Sequence, residues 1–322
     1  MIPPELAGER LDKALAMLVS GMSRAELQRL IGAGAVQVDG QLEQRPSRVL
    51  RGGEQVHVAV PAPQPVATCA EDLPLTVLFE DAHLVVIDKP PGLVVHPAPG
   101  NREGTLVNAL LHHCRDASGA TTLSGIGGEL RPGIVHRLDK DTGGVLVVAK
   151  SAAAHQGLAE QFAAHSVVRE YWALVKGLAP AQGTVDAPLG RHPVQRTRMA
   201  VVMGGRRAVT HFRRLRVYPG LTLVACRLET GRTHQIRVHM AHVRHPLLGD
   251  PDYGRRFDPP RDWPEGLRRL AGGFARQALH ARLLGFVHPV SGEVLRFETP
   301  PAPDLAALLQ ALEAVALPGA AD

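Results

Sequence analysis

Two aspartates, an arginine, a lysine and a histidine fall within the six residues His136-Arg137-Leu138-Asp139-Lys140-Asp141. Carboxylates serve as nucleophiles or proton acceptors, and a neighbouring cation favours their charged form. The charged run follows the apolar pair Ile134 and Val135. It leads into Thr142-Gly143-Gly144, where glycine lets the backbone reverse, and then into Val145 to Ala149, which has the unbroken apolar character of a buried strand. A reactive turn held between two buried strands is the expected arrangement, because strands supply rigidity and loops supply chemistry. The plainer reading is a solvated turn in which Asp139 or Asp141 caps something local.

A second concentration of functional side chains occupies ETGRTHQIRVHM, residues 229–240. His234, His239, His242 and His245 lie in HQIRVHMAHVRH, and three-residue spacing on a helix can turn ligands to one face. A metallohydrolase is the reading this invites. Against it, there is no H-E-x-x-H and no cluster of acidic ligands close by in the chain, and the interleaved Arg237 and Arg244 would repel a dication. No metal is expected.

The elements that must carry these segments are legible in outline. At 322 residues the chain has room for two domains, one of them large. Residues 9–60 read as two helices, a hairpin and a strand: Leu11, Ala14, Leu15 and Leu18 at helical spacing, and Ser23 to Glu26 as a capping box before Leu27, Leu30 and Ile31. Val36 and Val38 then run into Asp39-Gly40, and Val56, Val58 and Val60 alternate. Residues 61–72, PAPQPVATCAED, read as a linker between an N-terminal domain (1–60) and a second domain (73–322). Beyond it, Leu84 to Ile87 and Leu93 to Val95 read as strands around the rigid turn Asp88 to Gly92. Helices are expected around Thr105 to Leu111, over 151–165 and from Pro303 to Leu317. The glycine-rich loop LSGIGGELRPG has no G-K-[ST] ending and no dinucleotide spacing, so it is not a phosphate cradle.

Charge narrows the class of partner. The net charge is +5, yet residues 1–60 are neutral, 61–130 carry −5, 131–260 carry +11 and 261–322 carry −1. Nearly all of the excess is arginine, in the segment that holds both reactive stretches. Arginine matches phosphate bidentately and stacks on bases, which points to a nucleic acid. No run of eighteen apolar residues is present, the N-terminus does not read as a secretory signal, and Cys69, Cys114 and Cys226 form no C-x-x-C pair. A cytoplasmic protein without a disulfide framework is expected.

HRLDKDTGG resembles the active-site motif of the RluA-type pseudouridine synthases, written HRLD-[KR]-DT-x-G, with Gly143 where the family often carries Ser or Thr. IDKPPGLVVHP, the Arg169-Glu170-Tyr171 sequence, ETGRTHQIRVHM, GDPDYG and RQALHA match other parts of the same family, in its order. The unit RLD…SR…L-I-x-x-G-x-V-x-V-D-G resembles the S4 RNA-binding domain. The resemblance implies an α+β fold: a small N-terminal S4-like domain, then a catalytic domain with a large mixed, mostly antiparallel sheet flanked by helices.

It further implies Asp139 as the catalytic aspartate, paired with Arg237. Tyr171 would belong in the active site, Ile236 would pack under the base, and Arg137 would occupy the stack space of a flipped uridine. His136 would contact the substrate, and Lys13, Arg24, Arg29, Arg45 and Arg48 would line the RNA face of the S4-like domain. Details such as RHP…RT-x-MAV and HPLLGDPDYG resemble the members acting on the helix 69 stem-loop of 23S rRNA, within a large-subunit assembly particle. A monomer is expected, and no cofactor, since isomerising uridine involves no net redox change or hydrolysis. Asp139 could attack C1′ or remove a 2′ proton, and Tyr171 could take the C5 proton. A non-enzymatic rRNA-binding assembly factor is the alternative of a different class.

Overall fold

The computed structural model describes residues 1–19, 24–59, 69–97, 101–115, 121–125 and 131–315, and within them not the side chains of residues 25, 26 and 29. The proposed helix cap at Ser23, the side chain of Arg29, Val60, most of the linker, residues 126–130 and Leu317 lie outside what is described. The chain divides into two compact units, Met1–Val66 and Ala67–Asp322.

In the first unit, helices α1 (Leu11–Leu18) and α2 (Arg24–Gly32) pack on a small antiparallel sheet of β1 (Val36–Val38), β2 (Gln41–Leu42) and β3 (Val56–Val58) in the order β2-β1-β3. The helical and alternating apolar positions of the sequence are the ones that meet: Leu11, Ala14, Leu15, Leu27, Ile31, Val36 and Val38 form one core. Asp12 is fully buried beside it and is ringed by Arg10, Arg24 and Gln28.

The second unit is built on β4 (Thr76–Glu80), β5 (Leu84–Lys89), helix α3 (Leu106–His113), β6 (Gly143–Ala149), α4 (Ala152–Ala163), β7 (Val168–Lys176), β8 (Gln182–Asp186), β9 (Leu189–Arg191), β10 (Met199–Val201), β11 (Val209–Tyr218), β12 (Leu221–Leu228), α5 (Gln235–His242), α6 (Glu265–Gly272), β13 (Leu279–Val287), β14 (Val294–Glu298) and α7 (Pro303–Glu313). Nine strands form one sheet in the order β4-β5-β6-β13-β7-β12-β11-β8, with β14 paired to β13, while β9 and β10 form a separate ribbon. Among the described residues only the strand pair β6 and β13 runs parallel, so the sheet is mixed and mostly antiparallel. Their contact is close: a Cβ on Gly144 would sit 2.1 Å from the Ala281 carbonyl oxygen, and its φ of 120° suits glycine alone.

All seven residues of β6 are buried, which is why it reads as a continuous apolar run. Leu146 and Val148 face α3 and α5, whereas Val145, Val147 and Ala149 face α4. Helices α6 and α7 cover Leu174, Leu221 and Leu223, side chains that alternate with those of the main core. Among the described residues no helix is long and apolar enough to cross a membrane.

Two expected strands do not form. Ile134 makes a single bridge to Val148, because β13 occupies β6 only at Gly143 and Gly144 and leaves a short free edge beyond. The charged turn is therefore held on one side by a strand and on the other by a loop. Leu93 to Val95 is likewise no strand; the Val94 and Val95 carbonyls instead accept from the N–H groups of Leu106 and Val107. Those are among the N–H groups at the start of α3 that have no partner within the helix.

Candidate active site

Asp139 stands where two cavities meet, one of about 570 Å³ and one of about 400 Å³. Arg137, Leu138, Asp139, His234 and Arg237 line both. The loop that presents it is clamped at the backbone. Buried Leu138 anchors it in the main core. Lys89 Nζ donates to the Lys140 carbonyl at 3.0 Å, Gly92 N donates to the same oxygen at 2.9 Å, and Arg276 Nη1 reaches the Asp141 carbonyl at 3.0 Å. Gln277 donates to the Thr142 hydroxyl at 3.2 Å. The Val147 N–H donates to His136 Nε2 at 3.1 Å, and the His136 ring stacks on Phe162 with centroids 4.5 Å apart. Burial, aided by the Arg169 charge, pushes His136 down to about 3, so it stays neutral. His136 lines the cleft, and one of its nitrogens accepts from the strand.

Lys89, in the IDKPPG turn, brings its positive charge next to the Asp139 loop. It is fully buried, and its Nζ donates to the carbonyls of Pro90, Leu93 and Lys140 at 2.8, 2.9 and 3.0 Å. Burial pulls its pKa down to about 7, opposed by Asp141 and Asp139, while three carbonyl acceptors call for all three N–H bonds of an ammonium. It ties the end of β5 to the Asp139 loop.

Arg237, 98 residues from Asp139 in sequence, brings Nη1 to 3.3 Å from Asp139 Oδ2. The pairing expected from the sequence is there, but it is the longest of the guanidinium's ionic contacts. Nε and Nη2 clasp buried Asp250 at 2.7 and 2.9 Å, and Nη2 also reaches Asp252 at 2.7 Å. Burial alone would lower the Arg237 pKa; Asp250, Asp139 and Asp252 together raise it instead, so the cation is permanent. Asp250 is held below the usual carboxylate range: burial opposes this, and Arg237 with the N–H groups of Tyr253 and Asp252 outweighs it. GDPDYG, 13 to 15 residues on from Arg237, thus supplies two carboxylates, Asp250 and Asp252, to its guanidinium.

His234 caps α5 in a left-handed conformation, φ 56°. Its Nε2 faces Asp139 Oδ1 at 3.9 Å, and its Nδ1 lies 2.8 Å from the Tyr253 hydroxyl, which accepts from the Met199 N–H at 2.9 Å. Burial lowers the His234 pKa against the pull of Asp139. In the tautomer that accepts the Tyr253 hydroxyl proton at Nδ1, neutral His234 carries its own proton on Nε2, toward Asp139. Gln235 fixes the turn: it accepts from Thr230 and from the Arg232 N–H at 2.7 and 3.0 Å, and donates to Val209 O and Thr210 Oγ1 at 2.9 and 3.0 Å.

The histidine spacing has no common face. His239 is buried between Thr210 Oγ1 and the Ala187 carbonyl, each 2.9 Å away, and His245, past the helix end, contacts the Lys176 carbonyl at 3.0 Å. Among the described residues no three His, Cys, Asp or Glu groups are arranged to hold a metal ion.

Tyr171 on β7 and Ile236 on α5 are buried walls of the larger of these two cavities, and exposed Arg137 also lines it. Burial, with the Asp139 charge, raises the Tyr171 pKa against the pull of Arg169, so it enters the site as a neutral phenol. In the N-terminal unit the suggested RNA contacts are paired with carboxylates: Lys13 with Glu9 at 2.8 Å, Arg24 with Asp12 at 2.8 Å, Arg45 with Glu43 at 3.3 Å, and Arg48 with Glu43 and Glu54 at 3.2 Å. Asp250, Asp252, Tyr253 and Arg169 are site residues to which sequence reasoning assigned no part, and His234 was considered only as a metal ligand. The only available signal was their position inside the matched segments.

Comparison with known proteins identifies the family. The family model described as RNA pseudouridylate synthase matches residues 83–242, and that of the S4 domain matches residues 9–56. Ribosomal large subunit pseudouridine synthase D of Zymomonas mobilis is 50% identical over 96% of this chain and 95% of its own. The protein of the same name from Pseudomonas aeruginosa is 46% identical over 97% and 94%. Among solved structures, human RNA pseudouridylate synthase domain containing 4 superposes with a TM-score of 0.57 and 28% identity over 74% of this chain and 93% of that one. A chain that shares half its residues with such relatives over nearly its whole length, and sets Asp139 against Arg237 in a cleft, belongs to the RNA pseudouridylate synthase family, with an S4 domain at its N-terminus.

Proposed function

We propose that this protein isomerises uridines of large-subunit ribosomal RNA to pseudouridine, with Asp139 as the catalytic group and no cofactor. The observation that carries the reading is Asp139 itself: a cleft-lining carboxylate with Oδ2 tied to buried Arg237 and Oδ1 not bonded by it, in a chain matched over nearly its whole length by ribosomal large subunit pseudouridine synthases D. Within that RNA the proposed target is the helix 69 stem-loop of 23S rRNA, met in an assembling large subunit in the cytoplasm by a monomer.

The reaction breaks N1–C1′, turns the base and joins C5 to C1′, while the C5 proton departs and N1 regains one; the product is an isomer. Asp139 acts either on C1′ as a nucleophile or on the 2′ proton as a base, and both routes start from Oδ1, the oxygen Arg237 leaves open. Arg237 orients the carboxylate, and its own position is set by Asp250. Ile236 packs under the base, and Arg137 takes the space the flipped nucleotide vacates. Tyr171, a neutral phenol, removes the C5 proton only by passing its own proton on in the same step. In the S4 domain, Lys13, Arg24 and Arg45 exchange their carboxylate partners for phosphates.

The test is pseudouridine formation in transcribed 23S rRNA by the purified protein, with and without chelator, beside Asp139→Asn. Isomerisation by the wild type that survives chelation and is abolished in Asp139→Asn, with RNA affinity kept, is the expected result. Near-wild-type single turnover by Asp139→Asn removes Asp139 from the chemistry, and RNA binding without any product favours a non-enzymatic assembly factor.

A further inference from the structure

Arg169 is 8% exposed, yet among the described residues no carboxylate lies within ion-pair distance of it. Its Nε is buried without a hydrogen-bond partner. Its Nη2 has only two contacts, to the Leu228 and Glu229 carbonyls at 3.5 and 3.4 Å, at the outer limit of hydrogen bonding. The guanidinium lies 5.6 Å from the centre of the Phe162 ring, a modest compensation. A buried cation without a counter-charge is costly unless something else supplies one. The adjacent Glu170 does not, for it pairs with Arg227 at 3.1 Å.

The surroundings hold the charge toward the cleft. Arg169 precedes Tyr171 by two residues on β7, so both side chains leave the same face of the strand, and both line the cavity that contains Asp139. Opposite stands Gly231, in the ETGRTHQ turn, where an added Cβ would lie 2.8 Å from Arg169 Nη1. That glycine leaves room for the guanidinium.

We propose that Arg169 receives a phosphodiester of the RNA next to the target nucleotide. The inference rests on the uridine-isomerising reading of the cleft and adds to it a binding residue. Of the anions an RNA substrate can offer, the phosphodiester is charged before any bond breaks, so it can neutralise a cation that is present at all times. Its planar pair of oxygens also suits the guanidinium fork.

The experiment compares full-length wild type with Arg169→Gln, Arg169→Lys and Gly231→Ala, using transcribed 23S rRNA as the probe. Equilibrium binding is measured from about 50 to about 200 mM salt, with single-turnover rates at saturating RNA and thermal midpoints alongside. Arg169→Gln is expected to weaken binding about tenfold and to lower the slope of log K against log salt by about 0.7–0.9, one phosphate's worth. Arg169→Lys should keep the slope and recover part of the affinity. Gly231→Ala, which displaces the guanidinium without removing it, should behave like Arg169→Gln. Unchanged affinity and slope with a collapsed saturating rate would overturn the proposal, because the charge would then serve the departing base. Equal damage by Lys and Gln with lowered thermal midpoints would also overturn it, in favour of a packing role. Binding is read without turnover, so failure of the wild type to form pseudouridine would sink the proposed function and leave this comparison interpretable.

Discussion

Asp250→Asn tests whether the position of Arg237, and through it of Asp139, is set by a residue that never meets the substrate. Asp250 is 4% exposed and makes two contacts of 2.7 and 2.9 Å with a guanidinium whose side chain is 5% exposed. Removing one partner of such a buried pair costs about 3–5 kcal/mol, and because Asn retains an acceptor the lower end, about 3 kcal/mol, is expected. In a unit of this size that corresponds to a fall in thermal midpoint of about 6–12 °C. Asp252 offers an internal comparison: its contact is equally short, 2.7 Å, but its side chain is 37% exposed. Asp252→Asn should therefore cost less than about 1 kcal/mol.

The single-turnover rate of Asp250→Asn should fall by about 10- to 100-fold, since displacement of a catalytic group by about 1 Å has effects of that order. RNA affinity should change little. The Asp250 pKa is lowered in the folded state, so its contribution is present above the unfolded carboxylate pKa near 3.9 and is lost as pH falls through the folded value. Wild type and Asp250→Asn should thus differ fully at neutral pH and converge only in acid. Thermal melts across pH with parallel rate measurements are the assay. A variant that melts within about 2 °C of wild type and turns over within about twofold would refute the reasoning.

Two further outcomes are expected. Lys89→Met removes a group whose folded pKa, about 7, lies below the unfolded value near 10.4, so wild-type stability should rise relative to the variant between pH 7 and 10; parallel melting curves over that window would show that the carbonyls keep Lys89 charged. Deleting residues 1–66 should leave a folded catalytic unit with steep salt dependence, while affinity for the cognate rRNA falls by about 1–3 kcal/mol, or 5- to 150-fold, and affinity for an unrelated hairpin falls less; equal losses on both would reassign the S4 domain to bulk attraction.

Local pattern sufficed for much of this protein. The unbroken apolar run of β6, the helical spacing of Leu11, Ala14, Leu15, Leu27 and Ile31, and the short charged sequence around Asp139 are signals carried by neighbours in the chain, which short-range sterics and burial turn into structure. The asymmetry that gathers +11 into residues 131–260 is also a property of composition. The same local reasoning misjudged Ile134-Val135 and Leu93 to Val95, because whether an extended segment becomes a strand depends on a free edge or a partner that lies far off in sequence. Nor does it foretell the full burial of Lys89, since that depends on carbonyls supplied by another loop. Helical spacing suggested a shared histidine face, while tertiary packing gave His239 to Ala187 and Thr210 and His234 to Tyr253 and Asp139. Likewise, no local rule states that Arg237 answers first to Asp250, or that Arg169 has no counter-ion among the described residues. A charge's partner is set by distance and burial, and over separations such as the 98 residues between Asp139 and Arg237 only the folded sheet decides both.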